Sequence, residues 1–304
     1  MALHRLVSIT IGVPQVAPVA AYYEEFGLTP AASGRLATAD GGEQLTLVPA
    51  PRRRLLELRI GADDADDVSR VASALVRLGF DAERTPDSVA AVEGGTDVRV
   101  VVQIAPRLAQ AGVAAAMNGP GDVRRANQRA AATLRDGPVR PRKLGHVVVG
   151  TTDLAGSQRF FVDAIGFKVS DTIAGLASFL RCSTDHHNLL VQPAPFAFLH
   201  HTSWQVDDVD EIGRGAQALI EKDPARHVWG LGRHHIGSNY FWYLKDPAGN
   251  FSEYYADLDC IVADELWTLR EFDGPKSLYS WGPPVPASFL APDDLVEMMR
   301  QRHA

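Results

Sequence analysis

The 304-residue sequence predicts an α+β fold built from repeated strand–helix–strand–strand–strand (βαβββ) modules, with two modules in each of two domains. Two observations lead to this prediction. A segment near the N-terminus has a matched counterpart near the middle of the chain, and a second pair of matched segments follows the first pair. In all four segments an apolar strand pattern runs into a helix pattern.

The first matched pair comprises residues 5–28 (RLVSITIGVPQVAPVAAYYEEFGL) and 143–167 (KLGHVVVGTTDLAGSQRFFVDAIGF). In each segment an alternating apolar strand and a short polar break precede an amphipathic helix. Each helix carries an aromatic pair and then reaches a glycine, Gly27 or Gly166. A glycine at this position predicts a left-handed C-terminal cap.

The second matched pair comprises residues 55–80 and 199–225, and each is a strand that runs into an Asp-rich helix start. Asp207 is the predicted N-cap of the later helix, because a short carboxylate there can accept a backbone amide. Apolar residues then recur at helical spacing. Shorter predicted strands complete the modules, for example at 176–182, 188–193 and 240–245.

These repeats divide the chain into regions. Residues 1–112 are predicted to form the first domain and residues 143–262 the second, with a Pro- and Gly-containing connector at 113–142. The tail, 263–304, is expected to pack on the domains. Further helices are predicted at 123–134, 264–272 and 292–301.

Composition argues against several functional classes. The 30 basic and 37 acidic side chains give a formal charge of −7, so the chain lacks the basic surface of a nucleic-acid binder. The first apolar run is too short for a signal peptide, and no stretch approaches the roughly 18 apolar residues of a membrane span. We therefore expect a cytoplasmic protein. Cys182 and Cys260 are too few for a disulfide framework and are predicted to be buried.

Histidines cluster in the second half of the chain. Eight of the ten lie between His146 and His235, and three doublets occur among them. Such clustering of imidazole favours metal binding or proton transfer.

In the doublet of LHHTSWQVDD (199–208), strand alternation distinguishes the two histidines. His201 shares a polar face with Ser203 and Gln205, whereas His200 shares the face of Trp204. His201 is therefore predicted to be a ligand, and His200 is predicted to point away from the site.

Two other residues are candidate ligands. His146 lies on an apolar strand, where a buried core histidine is the alternative, and the aromatic neighbours of Glu253 make burial costly unless it pairs or binds a cation. An exposed edge position is the alternative for Glu253. Two imidazoles and one carboxylate on separate strands form the ligand set of a 2-His-1-carboxylate Fe(II) site. Ser8 and Glu57 replace the two histidines in the first half, so only the second half is predicted to bind metal.

The segment YFWYLKDPAGNFSEYY predicts a hairpin around DPAGN. If these five residues form the whole loop, Lys245 pairs with Phe251 and Tyr243 lies across from Glu253.

Five segments, in this order, resemble the type I extradiol ring-cleaving dioxygenases of the vicinal-oxygen-chelate superfamily: GHVVVGTTDL, HHNLLVQ, LHHTSWQVDDVDEI, GLGRHH and FWYLKDPAGNFSEYY. They lie within residues 143–257, and the first half matches through the repeat architecture. The resemblance implies Fe(II)-dependent meta cleavage of a catechol-type diol with O₂, in a homo-oligomer. Mn(II) is a possible substitute for iron.

The resemblance also implies roles for single residues. His146, His201 and Glu253 match the metal ligands, and His187 matches the histidine that assists oxygen activation and proton transfer. His234 and Tyr243 match the residues that hydrogen-bond the substrate hydroxyls and bound oxygen.

Some assignments stay open at this point. His186 competes with His187 for the acid–base role, and His235 has no assigned role. Two alternative functions remain: a metal-dependent lyase or isomerase of the glyoxalase type, and a non-catalytic small-molecule-binding protein of the same superfamily.

Overall fold

The computed structural model describes residues 3–112, 116–274, 277–292 and 294–295. Four βαβββ modules follow one another along the chain and form two large sheets. The predicted α+β fold of repeated modules is therefore confirmed. No described helix is long and apolar enough to cross a membrane.

The first sheet contains the first two modules. Its elements are β1 (Leu3–Val13), α1 (Val16–Glu25), β2 (Thr29–Pro30), β3 (Leu36–Thr38), β4 (Gly42–Pro49), β5 (Arg54–Ala62), α2 (Ala65–Arg77), β6 (Glu83–Arg84), β7 (Ser88–Glu93) and β8 (Val98–Ile104). The strand order is β2-β3-β4-β1-β5-β8-β7-β6, so the leading strands of the two modules pair at the centre.

The second sheet contains the third and fourth modules. Its elements are β9 (Lys143–Thr151), α3 (Leu154–Gln158) with a π-helix (Arg159–Ile165), β10 (Lys168–Ile173), β11 (Ala177–Arg181), β12 (Leu189–Pro193), β13 (Phe198–Gln205), α4 (Val209–Lys222), a 3₁₀ turn (Pro224–Arg226), β14 (His227–Arg233), β15 (Tyr240–Lys245) and β16 (Phe251–Ala256). With β17 (Glu271–Phe272) the order is β14-β15-β16-β13-β9-β12-β11-β10-β17. The strands β16, β13 and β9 are therefore direct neighbours.

Strand register shows that the two halves are structurally equivalent. Thr10 pairs with Glu57 in the first sheet, and Val148 pairs with His201 in the second sheet. Glu57 therefore occupies the position that corresponds to His201, as the repeat predicted. Its carboxylate is bound by Arg59 and is not free to act as a ligand.

Local signals in the sequence place most element ends correctly. Gly27 and Gly166 adopt φ angles of 102° and 99°, which confirms the predicted left-handed caps. The N-cap of α4 is Asp208, which accepts the amide of Glu211, and not Asp207 as predicted. Asp207 instead forms an ion pair with Arg142 of the connector, and α4 begins at Val209, one residue later than predicted.

The connector and tail differ from their predictions. Of the helix predicted at 123–134, only a 3₁₀ turn at Ala131–Leu134 forms. The segment 264–272 contains a 3₁₀ turn (Asp264–Leu266) and β17 in place of a helix. Most of the predicted helix at 292–301 lies outside the described residues, and a short helix, α5 (Ala287–Leu290), precedes it.

The two cysteines also differ from each other. Cys182 is buried as predicted, but Cys260 is exposed. Cys260 lies in the irregular chain after β16, where sequence alternation gives no information about burial.

One continuous core joins the two halves. Tyr23 of α1 lies with its ring centroid 6.1 Å from that of Trp204, and Phe26 stacks on Tyr254 at 3.8 Å. The Tyr254 hydroxyl also donates to the Phe26 carbonyl at 2.6 Å. The first half therefore supports β13 and β16 from behind.

Candidate metal centre and catalytic pocket

Three neighbouring strands bring the predicted ligands together. His146 lies on β9, His201 on β13 and Glu253 on β16, and all three are buried. One nitrogen or oxygen atom from each lies within 4.8 Å of the other two. Glu253 Oε2 is 3.1 Å from His146 Nε2 and 3.7 Å from His201 Nε2. The strand order therefore produces a compact cluster from residues that are distant in sequence.

These residues fit a divalent metal. His201 Nε2 and Glu253 Oε2 are buried, and neither makes a hydrogen bond within the described part of the chain. Leaving such polar atoms buried without a partner is costly, and a cation between them removes that cost. Two imidazole nitrogens and one carboxylate are also the donor set that leaves a first-row transition metal open to exogenous ligands.

Glu253 is held as a carboxylate. Burial raises its pKa, but polar contacts with the neighbouring imidazoles, of which His146 contributes most, outweigh burial, so the pKa lies below its ordinary range. Asn239 Nδ2 also donates to Glu253 Oε1 at 3.2 Å. The remaining oxygen, Oε2, points toward the two candidate histidine ligands.

The structure corrects the prediction for His200. The pairing of β13 with β9 shifts between Leu199 and His201, so a β-bulge breaks strict alternation and both histidines line the same cavity. His200 Nδ1 lies 2.8 Å from His201 Nδ1, and His200 Nε2 lies 2.7 Å from the carbonyl oxygen of Phe289. His200 therefore does not point away from the site.

This hydrogen-bond chain sets the tautomer of His201. Burial lowers the pKa of His200 to about 4, so its ring is neutral near pH 7. The Phe289 carbonyl only accepts, so His200 carries its hydrogen on Nε2 and accepts at Nδ1. His201 must then donate from Nδ1, which leaves its Nε2 lone pair free for a metal.

The doublet His186–His187 divides into an inner and an outer histidine. His187 lines the cavity, and its ring centroid is 4.2 Å from that of His146. Burial lowers the pKa of His187 well below its ordinary value. His186 is fully buried behind it, with Nε2 2.9 Å from Asp171 Oδ2. The structure thus places His187, and not His186, at the pocket.

His234 and Tyr243 form a hydrogen-bonded pair on the opposite wall. His234 Nε2 lies 2.9 Å from the Tyr243 hydroxyl, and His234 Nδ1 lies 2.6 Å from the Leu278 carbonyl. Tyr243 pairs with Glu253 across β15 and β16, as the hairpin predicted. Burial raises the pKa of Tyr243 well above its ordinary value, so the hydroxyl remains a donor.

His235 lies apart from this constellation. Its ring packs on Phe272 with a centroid distance of 5.5 Å, and Nδ1 is 3.3 Å from Ser280 Oγ. It is not among the described residues that line the pocket.

The ligand cluster opens into a cavity of about 110 Å³. Besides the histidines and Tyr243, its described lining residues are Val148, Phe179, Leu190, Gln192, Ile236, Ser277, Leu278, Phe289 and Leu290. No lysine or arginine occurs among these described residues. The cavity is therefore small and mainly apolar, with polar groups concentrated at the ligand cluster.

The C-terminal segment (277–290) covers this cavity, which is one of the two roles that the sequence left open for it; the other was contact with a partner. Trp229 Nε1 donates to the Pro283 carbonyl at 2.8 Å. Arg53, from the first half, binds both carboxylate oxygens of Asp294 and donates to the Leu199 carbonyl at 2.6 Å. Arg53 thus ties the C-terminal chain to the strand that carries His201.

The chain matches a known family and several known proteins. The family model described as the Glyoxalase/Bleomycin resistance protein/Dioxygenase superfamily matches residues 143–254. The chain is 31% identical to metapyrocatechase 2 of Cupriavidus necator over 299 residues, which cover 95% of this chain and 92% of that protein. It is also 31% identical to an iron-dependent extradiol dioxygenase of Rhodococcus jostii over 143 residues, or 42% and 47% of the two chains.

A solved structure of a homoprotocatechuate 2,3-dioxygenase variant from B. fuscum superimposes with a TM-score of 0.74 at 16% identity. The match covers 94% of this chain and 81% of that chain. At this level of identity the similarity establishes the fold alone.

Proposed function

The chain belongs to the extradiol dioxygenases of the glyoxalase/dioxygenase superfamily, and we propose that His146, His201 and Glu253 hold its catalytic Fe(II). The activity is extradiol ring cleavage of a catechol-type diol. The observation that supports the assignment is the buried cluster itself, in which His201 Nε2 and Glu253 Oε2 have no hydrogen-bond partner within the described residues. Mn(II) suits the same donors and is the alternative metal.

The metal and the protein divide the chemistry between them. Held by His146, His201 and Glu253, the metal would supply Lewis-acid stabilisation of the deprotonated diol. His187 lines the same cavity, and we assign it the transfer of the substrate hydroxyl proton. Its ring lies beside that of His146, one of the three residues that would hold the metal.

His234 and Tyr243 orient the substrate on the other wall. The Tyr243 hydroxyl already donates toward His234 Nε2, because the Leu278 carbonyl fixes the His234 hydrogen on Nδ1. A diol oxygen that enters this site can accept from Tyr243 and donate to His234. Tyr243 is therefore the donor that stabilises negative charge on oxygen during the reaction, and His234 Nε2 accepts from a diol O–H.

Cavity size and lining indicate the substrate class. A volume of about 110 Å³ accommodates a single aromatic ring, and the apolar wall contacts its edge. No cationic side chain occurs among the described lining residues to pair with a carboxylate substituent. From these described residues we propose a monocyclic, uncharged catechol with hydrogen or small alkyl substituents as the substrate and O₂ as the second substrate.

The wider organisation completes the proposal. We propose a first, non-metal domain at 1–112, a connector at 113–142, a metal-binding domain at 143–262 and a tail at 263–304 that packs on the domains. It acts in the cytoplasm as a homo-oligomer, with neither nucleic acid nor membrane as a partner. The formal charge of −7 supports the exclusion of nucleic acid.

The test is anaerobic loading with Fe(II), followed by oxygen-uptake and product-absorbance measurements on several diols. Catechol and 4-methylcatechol should be cleaved faster than 3,4-dihydroxyphenylacetate or 2,3-dihydroxybiphenyl. No O₂ consumption with any diol, despite stoichiometric iron, would refute Fe(II) as the catalytic metal. Equal rates for charged and uncharged diols would refute the substrate class.

A further inference from the structure

Two buried polar residues, His186 and Asp171, lie directly behind His187. His187 Nδ1 is 3.1 Å from His186 Nδ1, and His186 Nε2 is 2.9 Å from Asp171 Oδ2. The other carboxylate oxygen, Asp171 Oδ1, accepts the backbone amide of Arg270 at 2.7 Å. Asp171, His186 and His187 therefore form one continuous hydrogen-bonded line that ends at the pocket.

The hydrogens along this line can be assigned from donor and acceptor chemistry. An ionised carboxylate only accepts, so His186 carries its hydrogen on Nε2. The Nδ1 of a neutral His186 then has only a lone pair. The contact between the two Nδ1 atoms requires one hydrogen, and His187 must supply it. The lone pair of His187 is consequently on Nε2.

We propose that Asp171 and His186 are positioning residues that fix the tautomer of His187, so that the hydrogen-free Nε2 faces the substrate. This inference rests on the proposed function of His187 as the residue that takes the substrate hydroxyl proton. In that step the substrate O–H bond breaks and a bond from hydrogen to His187 Nε2 forms. The Nδ1 hydrogen stays between the two histidines, and nothing is oxidised or reduced.

A purely structural role is the competing explanation. Asp171 also binds the Arg270 amide, and the Trp267 ring lies 5.3 Å from His186, so the same residues anchor the chain at 264–272. Asp264 anchors that chain independently through Arg181 at 2.6 Å and through Lys168. A change at Asp264 therefore perturbs the anchor without touching the hydrogen-bonded line.

Asp171→Asn tests the proposal sharply because the structure dictates how the amide must lie. The Arg270 amide needs an acceptor, so the amide oxygen of the new side chain turns to it and the NH₂ group turns to His186. His186 Nε2 must then accept, and its hydrogen moves to Nδ1. His186 now donates to His187, which places the His187 hydrogen on Nε2 and reverses its tautomer.

The experiment measures this reversal directly and separately from turnover. Protein labelled with ¹⁵N-histidine is examined without metal by long-range ¹H–¹⁵N NMR, and the His187→Gln variant assigns the His187 signals. In the native protein we expect the His187 hydrogen on Nδ1, and in Asp171→Asn we expect it on Nε2. The control, Asp264→Asn, should keep the native tautomer.

Kinetics of the iron-loaded enzymes supply the second readout. Asp171→Asn should lower kcat by ~10²-fold or more, while iron content and KM change by less than about threefold. His186→Phe keeps a ring against Trp267 but has no acceptor for His187, and it should lower kcat in the same way. Asp264→Asn should keep kcat within about threefold of the native value.

Several results would overturn the proposal. A native His187 with its hydrogen on Nε2 excludes it without any variant. An unchanged His187 tautomer in Asp171→Asn, or an equal loss of kcat in Asp264→Asn, assigns the residues to anchoring alone. If the native enzyme cleaves no catechol but the tautomers behave as expected, the proposed function fails and the positioning role stands.

Discussion

Replacement of His200 by phenylalanine should weaken metal binding, although His200 is not itself a ligand. In the native chain His200 accepts from His201 Nδ1 and donates to the Phe289 carbonyl. His200→Phe keeps the aromatic contacts with Phe251 and Phe289, whose centroids lie 5.5 and 4.8 Å from the His200 ring. It removes both hydrogen bonds and introduces no space for water.

The expected loss of metal affinity in His200→Phe is the cost of leaving one buried donor, His201 Nδ1–H, without an acceptor. When His201 Nε2 binds a metal, the His201 hydrogen must stand on Nδ1, where the phenyl ring of the variant offers no acceptor. A buried donor without a partner costs about 1–3 kcal/mol, which corresponds to a roughly 5–150-fold rise in the metal Kd. His200→Ala leaves room for a water that can accept the same hydrogen, so its loss should be smaller.

The assay is competition for metal against a chelator of known affinity under anaerobic conditions. His235→Phe is the matched control, because His235 packs on Phe272 outside the cavity. A Kd within about threefold of the native value in both His200 variants would refute the tautomer argument. A larger loss for alanine than for phenylalanine would show that packing, and not hydrogen bonding, is the contribution of His200.

Four further predictions address the ligands, the pocket and stability. His201→Ala should abolish stoichiometric iron binding in metal analysis, and retained iron would contradict its assignment. Phe179→Ala enlarges the cavity of about 110 Å³, so kcat/KM for 2,3-dihydroxybiphenyl should rise at least roughly tenfold relative to kcat/KM for catechol. An unchanged ratio of the two kcat/KM values would show that a residue other than Phe179 limits substrate size. Arg53→Met removes a side chain that is 2% exposed and binds Asp294 and the Leu199 carbonyl. The free energy of unfolding measured by denaturant titration should therefore fall by about 2 kcal/mol. An unchanged free energy would show that these Arg53 contacts do not stabilise the fold. Burial raises the pKa of Asp246 from 3.8 to about 6, so its favourable contribution is complete below pH 3.8 and is lost as pH rises through 6. Lowering the pH from 7 to about 4 should therefore stabilise the native protein relative to Asp246→Asn by about 2 kcal/mol, and parallel pH profiles would contradict this pKa.

Periodicity and turn chemistry were sufficient to predict the modules, whereas the roles of the site residues were implied by the family resemblance. Strand alternation, helical spacing and two helix-ending glycines are local properties, and they specify the βαβββ units directly. The DPAGN loop fixed the hairpin register, so Tyr243 lies across from Glu253 as predicted. The three candidate ligands, predicted from strand faces, from the difference between the halves and from the family resemblance, lie in one buried cluster.

The parts that were not predicted depend on geometry that alternation does not encode. The bulge beside His200 changes which way one side chain points, and no local residue signal marks it. Phe289 and Arg53 reach the site from distant parts of the chain, through a carbonyl and a guanidinium. Hydrogen-bond partners of this kind carry no fixed sequence separation. The same holds for Asp171, whose contact with His186 depends on how β10 lies beside the loop before β12.

The aromatic contact between the halves has a consequence for how this duplicated protein can change. Phe26 stacks on Tyr254, and Tyr23 lies against Trp204, so each copy of the duplication completes the interior of the other. The first half therefore cannot be deleted without exposing core residues of the second half, although it holds none of the candidate metal ligands. If the second half were expressed alone, the side chains of Trp204 and Tyr254 would be exposed to water, and the protein would aggregate. The two copies therefore depend on each other for stability. A shortened enzyme that keeps only the second half would need polar replacements for the aromatic residues that now pack against the first half.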